Sequence, residues 1–431
     1  MKSWRFWRSL GAASMFCLLA AATAHAQQTS PGELDALKKM VEEVLAQNEE
    51  LKRRVRELEE AMAKRGPAPA EAPKEAVEAP KEAVEAPKDA VPPAAEPPGG
   101  VLKAAREKIQ LGGALEVEYV SRREFNRLRT QELALTTAEF DFEADVVDWA
   151  KAELSLQWDS AADKITLNEG LITFAKPSLV PVYGKTGRGV VPFGISTGTS
   201  VAARLEESLT ITGPLTTEVF EAKEDYALVG VKWHGLNGSV YAYNGSTDNA
   251  KRGTRLEHWG ASAAYGMKTD LLSFDLGVGW IDSVFDTDGL TAAFPEMQKR
   301  PNRPYIPGIS AYAKFGMFGF SLIGEYDGAT RTVHFTRAKR DVRALPKAWQ
   351  IEVGYSTKIF GIRPFAAVNY SGTSGMLAAF PQLRLLGVGG AWLTDNIRIA
   401  LEYAYEGDYP KVAFGTGKTG DAWTLRLTYE W

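Results

Sequence analysis

Residues 421–431 read Asp-Ala-Trp-Thr-Leu-Arg-Leu-Thr-Tyr-Glu-Trp, and their alternation decides the fold. A strand sends successive side chains to opposite faces. Trp423, Leu425, Leu427, Tyr429 and Trp431 therefore share one face, and Thr424, Arg426, Thr428 and Glu430 share the other. A sheet facing water rarely presents two Trp, a Tyr and two Leu side by side. A transmembrane barrel requires that pattern: apolar groups toward lipid, charge toward an aqueous lumen, aromatic rings at the interface. Tyr429 and Trp431 are accordingly assigned as the C-terminal insertion signal, received by the barrel-assembly machinery.

The same pattern runs upstream. Leu111, Leu115, Val117 and Tyr119 oppose Gln110, Glu116 and Glu118. Phe140, Phe142 and Ala144 oppose Glu139, Asp141 and Glu143, and Leu154, Leu156 and Trp158 oppose Lys151, Glu153 and Gln157. Ile397, Ile399, Leu401, Tyr403 and Tyr405 oppose Arg398, Glu402 and Glu406. Further runs lie at 226–233, 239–244, 257–266, 271–281, 309–327, 348–359, 362–370 and 384–393. Short turns are expected at 147–148, 235–238, 316–317 and 395–396, and long polar connections at 283–307 and 328–347. Short turns at one end and long loops at the other suit an outer-membrane barrel. About 325 residues at roughly 20 per strand and loop predict about 14–16 strands, an even number, over 106–431.

The bulk numbers alone leave a soluble β-sandwich open: 45% hydrophobic, 24% charged, mean hydropathy −0.21. Outside the N-terminus no apolar run approaches the roughly 18 residues of a spanning helix. Barrels escape hydropathy because every second residue is polar. The apolar faces here are too continuous to leave wet, and no helices are predicted to cover them, so the polar faces are read as lumen-facing.

Three segments precede the barrel. Residues 1–26 read as a secretory signal, with basic Lys2, Arg5 and Arg8, an apolar core Leu10–Ala22 and the cleavage pattern Ala24-His25-Ala26. Cys17, the only cysteine, lies in that core and should leave with it. Loss of the three basic residues takes the formal charge from −4 to about −7, which argues against a nucleic-acid partner. Within 27–65, Leu34, Val41, Asn48, Val55 and Met62 fall at heptad position a, and Leu37, Val44, Leu51 and Leu58 at d. That spacing predicts a periplasmic coiled coil, with Asn48 setting register. Valine at a with leucine at d suits two helices, while the flanking Met40 and Leu45 widen the stripe toward three. A homotrimer is the expected assembly, with a dimer as the alternative. Residues 66–105 are a Pro-rich linker whose Glu-Ala-Pro-Lys-Glu-Ala-Val unit recurs. A proline every seven residues blocks a long helix, and as polyproline-like chain at ~3.1 Å per residue the 35 residues 66–100 would span about 100 Å.

Four motifs carry a resemblance: Leu-Gly-Gly-Ala-Leu-Glu-Val-Glu (111–118), Leu-Thr-Thr-Ala-Glu-Phe-Asp-Phe-Glu-Ala-Asp (135–145), Asn168-Glu169-Gly170 with Ile172-Thr173-Phe174, and Tyr183-Gly184-Lys185 followed by Val191-Pro192-Phe193-Gly194. Together with the coiled coil, over roughly 109–265, the chain resembles the LbtU-type siderophore porins of Gram-negative outer membranes. Thr186–Val190 stand as an insertion relative to that pattern. The Gly-Lys and Pro-Phe-Gly elements also occur in phosphate-selective porins. The resemblance implies a passive or weakly selective porin associated with ferric-siderophore uptake.

The residues themselves point away from catalysis. Only His234, His258 and His334 remain after signal removal, none in a His-x-Ser or His-Asp dipeptide, and no cluster has metal-ligand spacing. Neither an enzyme, a metal nor a cofactor is expected. The chain is also too short for a plugged receptor of about 22 strands. What remains is a water-filled channel for small solutes. Its expected pore-lining charges are Lys185, Arg188, Arg363, Arg398 and Arg426 against Glu116, Glu118, Glu139, Asp141, Glu143, Glu153 and Glu402. Acidic early strands and basic late strands predict a field across the bore, suited to dipolar solutes. Two alternatives stand beside it: an anion-selective channel of the phosphate type, and an envelope tether in which the barrel only anchors the coiled coil.

Overall fold

The computed structural model describes residues 108–159, 164–195, 200–245, 256–298, 305–337 and 339–431. The predicted signal peptide, coiled coil and linker lie outside them.

Alternation becomes strands throughout. The chain forms β1 (Ile109–Arg123), β2 (Arg129–Val147), β3 (Ala150–Asp159), β4 (Lys164–Ala175) and β5 (Val182–Val190). After a long connection come β6 (Lys223–Trp233), β7 (Leu236–Tyr243), β8 (His258–Lys268), β9 (Leu272–Ile281), β10 (Gly308–Met317) and β11 (Phe320–Ala329). A loop hairpin, β12 (Val333–Arg337) with β13 (Arg340–Ala344), stands apart from the main sheet. Then follow β14 (Lys347–Ser356), β15 (Arg363–Ser374), β16 (Leu383–Trp392), β17 (Ile397–Gly407) and β18 (Thr419–Glu430). Apart from β12 and β13, these strands form one closed antiparallel barrel of sixteen. The seam is β1 against β18, running from Ala114 opposite Glu430 to Arg123 opposite Asp421.

The predicted outward face is outward. Trp423, Leu425, Leu427 and Tyr429 are exposed, while Thr424 and Thr428 between them are buried. Two aromatic tiers follow from register. Trp259, Trp280, Trp349, Tyr370, Tyr403 and Trp423 lie toward the long loops; Tyr265, Phe274, Phe315, Phe320, Tyr355 and Tyr429 lie toward the short turns. Leu, Val and Ile fill the band between, the arrangement a bilayer requires.

Three departures from simple alternation have local causes. Thr136 is an extra residue in β2, where Glu116 pairs with Thr137 but Val117 with Leu135. This bulge lets Leu133 and Leu135 on one side of it, and Ala138 and Phe140 on the other, all face outward. Asn168 is a second such residue, in β4 opposite Ser155 and Leu156. It breaks the period of β4, and the glycines of β5 (Gly184, Gly187 and Gly189) blank out its alternation, so the sequence marks neither strand. The turns expected at 316–317 and 235–238 sit at Phe318-Gly319 and His234-Gly235 instead. Both residues of each pair have positive φ, as a two-residue hairpin turn demands. A side chain at Gly235 or Gly319 would also meet the carbonyl of Gly266 or Ser356 on the neighbouring strand.

At the long-loop end the connections share a core. Phe193, Val219, Phe220, Tyr243, Val284, Phe285, Phe294, Phe335 and Met376 are buried in a single cluster. The 3-10 turn Val284–Asp286 and the β12–β13 hairpin thereby pack onto the barrel mouth, with Phe294 edge-on to both Phe285 and Phe335.

Candidate functional site

Between β5 and β6 the described residues 191–195 and 200–222 turn into the barrel. They include α1 (Val201–Glu207) and α2 (Leu215–Phe220). The base is closed by Val191 N–H donating to Ala222 O at 3.0 Å. Inside a barrel such a segment has no sheet partner, so its backbone groups must find side chains. They find glutamates of the wall. Glu325 accepts from Ile195 N at 2.6 Å and from the Thr216 hydroxyl at 2.5 Å, and Gln350 donates to it at 2.8 Å. Glu139 accepts from Val201 N at 3.0 Å, in the first turn of α1, where Ser200 caps Ala203 N. Glu352 accepts from Ser208 Oγ at 2.5 Å and Leu209 N at 2.9 Å. Glu402 accepts from Ile211 N at 2.6 Å and Thr212 N at 3.0 Å.

Arginines complete the clamp. Arg398 donates to Leu209 O at 2.6 Å and lies over the rings of Phe365 and Trp392. Arg384 donates to Gly213 O and to Glu218. Arg204 of α1 reaches Glu116 at 3.1 Å. Each is a charge-assisted bond, which is stronger than a neutral one. The partners span β1, β2, β11, β14, β16 and β17, so the segment crosses the bore from the β5–β6 side to the far wall.

This placement revises the expected pore lining. Glu116, Glu139, Arg398 and Glu402 do point inward, but each is at most 3% exposed, sealed against the segment or its neighbours. Glu116 alone receives Thr137, Arg204, Arg426 and Thr428. These four residues hold the segment and do not line the passage. Arg188 is outward: its neighbour Gly189 faces the inward Glu169, and Arg188 pairs with Asp225 on the outer surface. Arg363 lies on the inner side at the short-turn end, against Trp392. Glu118 and Arg426 form an inward ion pair. Lys185, Asp141, Glu143 and Glu153 face open space.

That space has two walls. A cavity of about 380 Å³ is lined by Asp141, Glu143, Glu153, Glu169 and Lys185, with Ser200 and Ala203 of the segment above it. Lys151 bridges Glu143 and Glu153 at 2.7 and 3.1 Å, and Lys185 stands 3.9 Å from Glu153. A larger cavity of about 870 Å³ is lined by Lys232, Lys268, Lys314, Asp275, Tyr312, Asn237 and Ser262. The acidic wall belongs to β2–β4 and the basic wall to β6–β10. The positive pole thus sits on the middle strands, whereas the late-strand arginines that were expected to supply it are tied up. Lys232, Lys268, Asp275 and Lys314 were legible as the polar positions of alternating strands, once the apolar partners Trp233, Met267, Phe274 and Phe315 are set outward.

Near the mouth, Glu221 is pushed up to about 7 by burial, with Glu207 and Asp288 adding like charge against Lys223 and Arg204. Burial also raises Asp288, whose backbone N–H donates to Glu221 O. His258 sits between two carboxylates, its Nδ1 3.3 Å from both Asp282 and Asp286, and Tyr243 donates to Asp282.

A closed sixteen-stranded barrel with an apolar belt and an infolded segment after the fifth strand has the fold of the outer-membrane porins. Salmonella typhi OmpF, solved with daunomycin, superposes at a TM-score of 0.51 with 13% identity, over 75% of this chain and 97% of that one. The outer-membrane channel DcaP of Acinetobacter baumannii gives 0.51 at 9% identity over 75% and 97%, and Pseudomonas putida OprB 0.50 at 11% over 77% and 97%. In sequence, the chain is 24% identical over 330 residues to a UPF0422 protein of Coxiella burnetii, covering 74% of this chain and 68% of that protein. It is 23% identical over 349 residues to a UPF0422 protein of Legionella pneumophila strain Lens, spanning 72% of this chain and 61% of that protein. No protein-family model matches the sequence.

Proposed function

We propose that this protein is an outer-membrane channel for small water-soluble solutes, narrowed by residues 200–222. The observation that carries the reading is the clamped segment itself. Buried glutamates fix it across the bore, and the space left beside it is flanked by charged side chains of opposite sign. A solute passing there meets Asp141, Glu143 and Glu153 on one side and Lys232, Lys268 and Lys314 on the other. Such a field lowers the barrier for molecules carrying both charges and gives little net preference between simple anions and cations. The resemblance to siderophore porins keeps ferric siderophores, which present several polar groups around one metal, as the candidate cargo. The assembly we propose is a trimer through the N-terminal helices.

Planar-bilayer recording of the purified chain tests this. Reversal potentials near zero in a potassium chloride gradient, with faster liposome swelling for zwitterionic than for singly charged solutes of equal size, are expected. Strong anion selectivity would instead favour the phosphate-type channel.

A further inference from the structure

We propose that the outer surface over β17, β18, β1 and β2 binds the phosphorylated glycolipid of the outer leaflet. The proposal rests on the outer-membrane reading but not on conductance. Register lays out this surface as rows across four adjacent strands. Nearest the long loops the row is Tyr405, Asp421, Arg123, Arg129; the next is Tyr403, Trp423, Ser121, Gln131. Below come Leu401, Leu425, Tyr119, Leu133, and then Ile399, Leu427, Val117, Leu135. All eight of these lower residues are exposed. The surface therefore grades from cationic and hydrogen-bonding to purely apolar over four rows, as a lipid grades from phosphate to acyl chain.

The upper rows enclose a groove of about 680 Å³ lined by Ser121, Arg123, Arg129, Gln131, Tyr403 and Trp423. Arg123 is held in place by its ion pair with Asp421. Arg129 is exposed and makes no ion pair among the described residues. Arg127, in the turn between β1 and β2, brings the outward and loop arginines here to three, against Asp421 and Glu124. A guanidinium pair spaced by one strand separation suits a phosphate monoester, which accepts from both forks. Trp423 and Tyr403, with ring centroids 4.9 Å apart, give the sugar an aromatic floor.

The test uses the full chain in detergent, kept folded as judged by its heat-modifiable gel migration. Binding of bisphosphoryl lipid A, its dephosphorylated form and inorganic phosphate is followed by native mass spectrometry and by the temperature of band conversion. Bisphosphoryl lipid A should be retained and raise that temperature by several degrees. The dephosphorylated lipid should do so weakly, and inorganic phosphate not at all. Arg123→Gln with Arg129→Gln should weaken binding at least about tenfold while leaving the folded migration intact, and Arg188→Gln, outward but elsewhere on the rim, should not. Equal binding of the dephosphorylated lipid, equal loss with Arg188→Gln, or unchanged binding by the double variant would overturn the site. A chain that shows no heat-modifiable form at all would instead remove the outer-membrane reading beneath it.

Discussion

Glu402 shows how much depends on single side chains inside the bore. Its two oxygens accept from Ile211 and Thr212, and it is 1% exposed. Glu402→Ala would leave two backbone donors without an acceptor, at about 1–3 kcal/mol each, while Glu402→Gln keeps one acceptor and should cost less. The expected result is a loosened segment: higher single-channel noise and faster amide exchange over 208–213 in the alanine variant, with the glutamine variant between it and the parent. Charge on the open walls acts differently. Reversing Lys232 and Lys268 to Glu inverts two of the three charges of the basic wall and leaves Lys314, which lies near the clamp's Glu325, in place, so selectivity should shift toward cations with unchanged thermal stability; a reversal potential that does not move would contradict the two-wall picture. Alternation puts both kinds of residue on one face of their strands. It could not separate them, because a glutamate facing water and one gripping a distant backbone obey the same period. The partners of Glu402 lie about 190 residues away in sequence, and no local signal announces them.

Among elements, the β2 bulge and the infolded segment carry the most consequence. Deleting Thr136 would restore a period-two register across β2 and turn Leu133 and Leu135 inward. Loss of folded barrel on heat-modifiable gels is expected, whereas Thr136→Val, which keeps the extra residue, should fold. The base of the segment is pH-sensitive through Glu221. Its carboxyl is raised to about 7 in the folded protein, above the unfolded value, so ionisation opposes packing. The sign follows: this packing is weakest above pH 7 and strengthens as pH falls from 7 toward 5. Limited proteolysis of 282–298, which packs beside Glu221, should therefore quicken between pH 6 and pH 8. Glu221→Gln should flatten that dependence. Long, strongly alternating strands such as β17 and β18 were legible from sequence. β4 and β5 were not, because a bulge and three glycines erase the period that alone distinguishes a strand.

For the molecule as a whole, sixteen strands fall within the expected fourteen to sixteen, and the even number places both ends of the barrel chain on the short-turn side. The apolar belt and the polar lumen came straight from the pattern, since both follow from a period of two. The occupied interior did not, because it is made by contacts between residues far apart in the chain. The seam has a further implication. Ladder bonds between β1 and β18 join residues some 300 positions apart. Until the final strand arrives, the growing sheet keeps two bare rims, each a template for pairing with another chain. Biogenesis must therefore shelter an unfinished cylinder until almost all of the polypeptide has been delivered, and slow closure of so distant a ladder makes that shelter a requirement of geometry.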